Sequence, residues 1–284
     1  MNIFPEITER KKYNHTALQC KIDLIRNLYE ESSINLNSTS QLHELLKSAE
    51  KLAFDWSTGN NEAANMDLLF KSLHIERISS ATQKLRNEIQ REKYLRDLLK
   101  GTLNFFERKS SHAKNILWEL EVFTQIRETI SDTSLAEPDI VVSIQNQKIA
   151  IPCKKIYSEK GVSKVLSNAV YQFENIFDFG IVAMNIDDLI PENTLLQART
   201  FEELGNKLHS NNMTFLANHE RCFRKYLSKS RIIGVIVSTA LVADIIEESP
   251  KFNNAHQWTI WTTPELLPNH AKAISFFREK VIGA

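Results

Sequence analysis

The sequence predicts an α/β (α+β) protein, with an N-terminal helical domain over residues 1–107 and a second domain, 108–284, built on a mixed β-sheet flanked by helices. Three observations predict it. Apolar residues recur every three or four positions through the first hundred residues. Near residue 137 the pattern changes to short β-branched runs, and from there helical and strand-like segments alternate.

Leu18, Ile22, Ile25 and Leu28 define the first helix, and Leu42, Leu45, Leu46, Ala49 and Leu52 the second, with the polar breaks "ESSINLNSTS" and "STGNNEAAN" bounding them. Ser80 and Gln83 have capping-box spacing, so a third helix is predicted to start near Ser80 and run through Leu85, Ile89, Leu95 and Leu99. A helix of that length, residues 80 to 100, would also offer a homodimer contact. "DIVVSI" and "KIAIPC", separated by "QNQ", predict a hairpin. The helix after it carries Val165, Leu166, Ala169, Val170, Phe173, Ile176 and Phe177 on one apolar stripe. "GIVAMNI" reads as a buried strand, residues 200 to 228 as a helix, "RIIGVIVS" as a strand running into a short helix, and "QWTIW" as a last strand.

Composition bounds the function. A chain of 284 residues, 42% hydrophobic, can bury a sizeable core. Its 35 basic and 35 acidic residues cancel, so no global field draws a polyanion and any nucleic-acid surface must be local. Cys20, Cys153 and Cys222 form no CxxC pair or Cys/His cluster, which argues against disulfides and structural zinc and casts them as buried small hydrophobes. "MNIFPEITERKK" has no secretory character, and "IIGVIVSTALVADII" is too short and too polar in its middle for a bilayer span, so the expected location is cytoplasmic. No HExxH, glycine-rich phosphate loop or serine nucleophile elbow is present.

The chemistry concentrates in the hairpin. With its turn centred between Asn146 and Gln147, Asp139 falls opposite Lys154, and Pro152 shares that face while Cys153 points to the other. Carboxylates suit Mg²⁺ or Mn²⁺, cations that favour oxygen ligands, and a neighbouring lysine can position a water and neutralise charge developing on a phosphate. One carboxylate is a poor anchor. The helix "NILWELEVFTQI" offers Glu119 and Glu121 as a second, and because they lie about 200° apart around the helix only one can face the hairpin. Glu121 is the preferred reading. Asp187 and Asp188 are a fallback, with a polar loop start as their simpler role.

"WELEVFTQI", "EPDIVVSI", "IAIPCKK", a helix carrying Gln172, and "FGIVAMNIDD" follow in an order that resembles the PD-(D/E)XK nuclease superfamily, the restriction-endonuclease-like fold. The resemblance covers residues 115 to 190 and extends at most to 262. It implies a metal-dependent nuclease, with Pro138 and Asp139 as the Pro-Asp, Lys154 as the motif lysine, Glu119 or Glu121 as the helix glutamate, the Cys153 backbone carbonyl as a metal ligand and Gln172 at the active site. Pro152 is the departure, standing where the family has its second acid. DNA is the expected partner over RNA, and a catalytically silent module binding nucleic acid or protein is the alternative.

For the nucleic-acid surface the expected residues are Lys155 and Lys164, with the ridge of Arg221, Arg224 and Lys225 on the helix "FLANHERCFRKYLSKSR". Against this stands the ordinary reading of such a ridge as a solvated face. Trp258 and Trp261 are expected in the core.

Overall fold

A computed structural model describes residues 15–59, 66–144, 147–229 and 231–282. Helices α1 (His15–Glu31) and α2 (Gln41–Ser57) bury the stripes that their spacing predicts, and a further helix, α3 (Met66–Thr82), follows them. Leu18, Ile22 and Ile25 of α1 and Leu42, Leu46 and Ala49 of α2 are almost wholly shielded. Each of these leucines and isoleucines contributes about 1.5–3 kcal/mol by leaving water. Ser40 caps α2 by accepting the His43 N–H, which satisfies one of the donors a helix start leaves open. Cys20, expected inside, lies on the polar side of α1 and is exposed.

The helix expected to begin at Ser80 does not. Ile75, Ile78 and Ala81 keep α3 in phase through that position, and it ends at Thr82, whose hydroxyl donates back to the Ile78 carbonyl. A 3-10 turn (Leu85–Asn87) and the short α4 (Arg91–Leu98) follow, leaving Ile89 fully exposed. The long helix expected as a dimer contact is therefore two shorter helices with a break between them.

Helix α5 (His112–Thr129) leads into strands β1 (Thr133–Ala136), β2 (Asp139–Ile144), β3 (Gln147–Ile151) and β4 (Cys153–Lys155). After them come α6 (Val162–Tyr171), β5 (Phe179–Asn185), β6 (Leu196–Ala198), α7 (Phe201–Leu227), β7 (Gly234–Ile245), β8 (Phe252–Trp261) and α8 (Pro268–Ile282). The sheet runs β1-β2-β3-β5-β7-β6, with β4 also on β5 and β8 on β7. Pairing is antiparallel within β1-β2-β3 and between β7 and β8, and parallel elsewhere, so the fold is mixed α/β with helices flanking the sheet. One hydrophobic cluster extends from Leu18 to Val281, and the boundary expected at residue 107 coincides with no break in it.

Three differences from expectation have physical causes. The polar residues of "IVSTALVADI" do not end its strand because each has a partner on a neighbouring strand or helix: Ser238 Oγ meets His256 Nε2 at 2.7 Å, Thr239 donates to Asn212 of the helix 201–227 at 2.6 Å, and Gln197 donates to Asp244 at 2.9 Å. All of β7 is buried strand, with no short helix at its end. Second, α6 stops at Tyr171, so Phe173 turns inward while Ile176 is 75% exposed. Gly180 makes room for Phe173, since a Cβ there would lie 1.9 Å from its ring. Third, the hairpin register pairs Ile140 with Ile151 and Ile144 with Gln147, which brings Asp139 level with Pro152 instead of Lys154.

Pro152 itself interrupts one long strand. β3 and β4 both lie parallel to β5, and the Ala183 N–H donates to the Pro152 carbonyl at 3.0 Å, so the proline keeps its acceptor in the ladder. On the other edge the pairing to β2 is over, and Cys153 and Lys154 turn to the Asp139 side chain.

Candidate active site

Asp139 opens β2 directly after the Glu137–Pro138 turn, and its Oδ2 accepts two hydrogen bonds. One comes from the Cys153 N–H at 2.7 Å and the other from Lys154 Nζ at 3.1 Å. The expected Asp139–Lys154 contact therefore exists in a different register, because β4 bends at Pro152. The two side chains are partly shielded, at 17% and 22% exposure. The N–H and carbonyl of one strand residue point to the same edge, so the Cys153 carbonyl faces the Asp139 side as well.

Glu119, on α5, completes the group. Burial, reinforced by the charge of Asp139, pushes its carboxyl up to about 8, although Lys154 and a hydrogen bond donated by the Tyr94 hydroxyl pull the other way. Burial likewise raises the Asp139 carboxyl, with Lys154 and the Cys153 N–H opposing. The Cys153 thiol is pushed well up by burial and by the same two carboxylates, so it is no nucleophile. Two carboxylates thus share a shielded space with one ammonium, an arrangement short of positive charge.

Glu121, the preferred helix glutamate, faces elsewhere. Arg77 of α3 grips both of its carboxylate oxygens, Nη2 at 3.0 Å from Oε2, and the same Nη2 reaches Asp187 Oδ2 at 2.9 Å. The helical rotation between positions 119 and 121 explains the choice, since Glu119 lies over the hairpin and Glu121 over the end of β5. Glu121 is corrected from metal and catalytic candidate to a member of a second charged cluster.

That cluster also takes Lys155, expected on nucleic acid. Its Nζ lies 2.7 Å from Asp188 and 3.6 Å from Asp187, with only 4% of the side chain exposed. Lys154 and Lys155 point to opposite faces of the strand, as the two-residue period dictates. Lys114 adds a third cation, 3.4 Å from Asp188. Burial disfavours a charged Asp187, but Lys155, Arg77 and the Ala240 N–H outweigh it and hold its carboxyl well below the usual range. Three cations answer three carboxylates, so Asp187 and Asp188 are bound as partners in this lattice and do not replace a missing acid.

The remaining expected residues are spread over the surface. Gln172 is exposed just past the end of α6, with no hydrogen bond to Asp139, Glu119 or Lys154 among the described residues, so its active-site role is not borne by the geometry. Lys164, Arg221 and Lys225 are exposed. Arg224 is held by Glu220 at 2.6 Å and Glu265 at 3.4 Å and lies over the Trp261 ring, which leaves less of it for a phosphate. Trp258 packs against Trp118 and donates to His256 at 2.6 Å, as a core tryptophan does.

Tyr94 and Arg77, both from the N-terminal helices, are the residues that sequence reasoning missed. For Tyr94 a signal existed: a phenol on the buried stripe of a short polar helix needs a partner for its hydroxyl.

Among the described residues no three His, Cys, Asp or Glu side chains gather into a metal-holding group. The donor set at Asp139 is nonetheless the kind Mg²⁺ uses, because that ion keeps several waters and is commonly held by one or two carboxylates together with substrate phosphate. Glu119, Asp139 and the Cys153 carbonyl supply three oxygens of suitable hardness, and the excess negative charge fits a cation. No family model, curated protein or solved structure matches the chain.

Proposed function

We propose that this protein is a divalent-metal-dependent nuclease of the PD-(D/E)XK type, hydrolysing phosphodiester bonds of nucleic acid, DNA in preference to RNA. One observation carries the reading: the Asp139–Lys154 pair is joined at 3.1 Å, and Glu119 of the preceding helix is near enough for both charges to act on its carboxyl. Glu119 and Asp139 would hold Mg²⁺ or Mn²⁺, with the Cys153 carbonyl as a third oxygen. When bound, such an ion supplies Lewis-acid polarisation of a phosphate and a more acidic water.

The chain's own groups do the rest. Lys154 Nζ, 3.1 Å from Asp139, sets a positive charge and hydrogen-bond donors beside the carboxylates, where an approaching phosphate would gather negative charge. The Cys153 N–H fixes the Asp139 carboxylate so that no reorganisation is needed as charge develops. Non-specific backbone contacts would fall to exposed cations such as Lys164, Arg221 and Lys225. Among the described residues no helix is long and apolar enough to cross a membrane, and three free thiols suit the cytoplasm we infer as the working compartment.

A second reading, a catalytically silent module that binds nucleic acid or protein, is favoured by Pro152 and by the count of two side-chain carboxylates. The test is cleavage of single- and double-stranded DNA and RNA by the full chain in Mg²⁺ or Mn²⁺, set beside Asp139→Ala, Lys154→Ala and Glu119→Gln. The expected result is cleavage by the parent chain and losses of at least about 100-fold in each variant. Cleavage that survives all three changes would remove the site. Binding without cleavage in either metal selects the silent module.

A further inference from the structure

We propose that β8 is the pairing edge of a homodimer, in which two copies of the chain join their sheets antiparallel along Phe252–Trp261. The edge is a property of the sheet and stands apart from the nuclease reading above.

Two edges of the sheet are built differently. Strand β1 is four residues long, and its outward carbonyls are already taken: Arg127 donates to that of Thr133, and Gln90 to that of Leu135 at 3.1 Å. A short, capped strand of this kind resists further pairing. Strand β8 is ten residues long and, among the described residues, pairs with β7 alone. The Ile245 N–H donates to the Lys251 carbonyl at 2.7 Å, and Asn212 donates to the Val237 and Gln257 carbonyls between the two strands at 3.3 and 3.0 Å. The odd-numbered residues of β8 therefore exchange hydrogen bonds with β7, and Phe252, Asn254, His256, Trp258 and Ile260 turn their N–H and carbonyl groups to the open side. Among the described residues the one hydrogen bond to those outward groups is donated by Gln257 to the Trp258 carbonyl at 2.7 Å.

The side chains leave this edge unguarded and select its occupant. Sheet edges that must stay single commonly carry charge or proline, and β8 has no Lys, Arg, Asp, Glu or Pro from Phe252 to Trp261. A charged peptide would find no ion pair along it. A second copy laid antiparallel about a two-fold axis at His256 gives every outward residue a counterpart, Phe252 with Ile260 and Asn254 with Trp258, and sets no like charges opposite. Desolvation lowers His256, so the pair at the axis is uncharged as well. The strand offers about 30 Å of ladder, at roughly 3.4 Å per residue. The dimer contact thus lies on the sheet and not on the broken helical segment of residues 80–100.

The experiment is sedimentation velocity of the full chain over a range of protein concentration, with amide hydrogen exchange in β8 read at both ends of the range. The expected result is a dimer at high concentration, in which the outward N–H groups of Asn254, His256 and Trp258 exchange at least about 10-fold more slowly than in the dilute monomer, while the inward N–H groups of Ala255 and Gln257 are protected in both. Two variants isolate the edge. Asn254→Pro removes an outward donor and no bond to β7, whereas Asn254→Ala removes only the side-chain bonds to Leu73 and Glu76 of α3. Asn254→Ala should pair like the parent, and Asn254→Pro at least about 10-fold more weakly. A monomer at every concentration would overturn the proposal, and so would equal pairing by the two variants. A dimer whose outward amides exchange as they do in the monomer would place the contact elsewhere and overturn it too. Should Asn254→Pro fail to fold, the exchange pattern of the parent decides alone.

Discussion

Helix α5 and the strand after the hairpin each carry neighbouring charged residues into two different surroundings, and the contrast separates structure from candidate chemistry. On one side Glu121 and Lys155 join Arg77, Lys114, Asp187 and Asp188 in a buried lattice with equal numbers of each sign. On the other, Lys154 pairs with Asp139 and acts also on Glu119, two carboxyl groups for one ammonium. The lattice holds Asp187 ionised against its burial, whereas at the hairpin burial wins and both carboxyls are raised. A balanced cluster is complete in itself. An unbalanced one needs a proton, a cation or a substrate, and such places are where function resides.

If the lattice is structural, breaking it costs stability. Arg77→Met leaves Glu121 and Asp187 without their shared partner, and removing one member of a buried ion pair costs about 3–5 kcal/mol. Thermal unfolding should fall by on the order of 10 °C. A shift near zero would place the two clusters on the same footing and remove the contrast.

The pH dependence sharpens it. Glu119 holds its proton in the folded chain up to about 8, against an ordinary value of 4.5, so in the native state it stays protonated where the unfolded chain has released the proton. Its contribution to stability is present below 4.5 and is lost as pH rises toward about 8, at up to about 1.4 kcal/mol per unit. The buried His74 and His270 and the half-buried His209 and His256, all lowered by desolvation, act in the opposite sense, so the useful quantity is the difference between the parent and Glu119→Gln in metal-free buffer. Denaturant unfolding at about pH 5.5, inside the window, and at about pH 8.5, above it, should show the parent losing stability relative to the variant. Parallel curves would contradict the raised carboxyl.

Asp139→Asn should leave metal-free stability within about 1 kcal/mol of the parent, because an amide oxygen can still accept the Cys153 N–H and one unbalanced charge has gone. Calorimetry reads this directly, and a cost like that of Arg77→Met would make Asp139 structural. Smallest of all is Arg224→Ala. Its bridges to Glu220 and Glu265 lie at the surface, so the melting temperature should barely move and metal binding not at all.

How far the sequence could be read follows the same division. Periodicity located the helices around α1 and α2, the hairpin and the buried strands because each depends on local spacing. It failed at Ser80, where a capping-box pattern lies inside a helix kept in phase by Ile78 and Ala81, and at β7, where partners distant in sequence satisfy Ser238 and Thr239. The Asp139–Lys154 pair was legible because the hairpin brings it together, even with the register misplaced by two residues. The choice of Glu119 over Glu121 was not, since it depends on Arg77, 44 positions before Glu121, which holds Glu121 away from the hairpin. Lys155 was misread for the same reason: its partners Asp187 and Asp188 arrive from the end of another strand.

Thermal unfolding of the parent and of Glu119→Gln, with and without Mn²⁺, tests the central claim most directly. A ligand bound only by the folded state at a hundred times its Kd adds about 2.7 kcal/mol. The parent should gain a stabilisation of that order, and Glu119→Gln should gain none. Equal gains in the two chains, or none in the parent, would contradict the account.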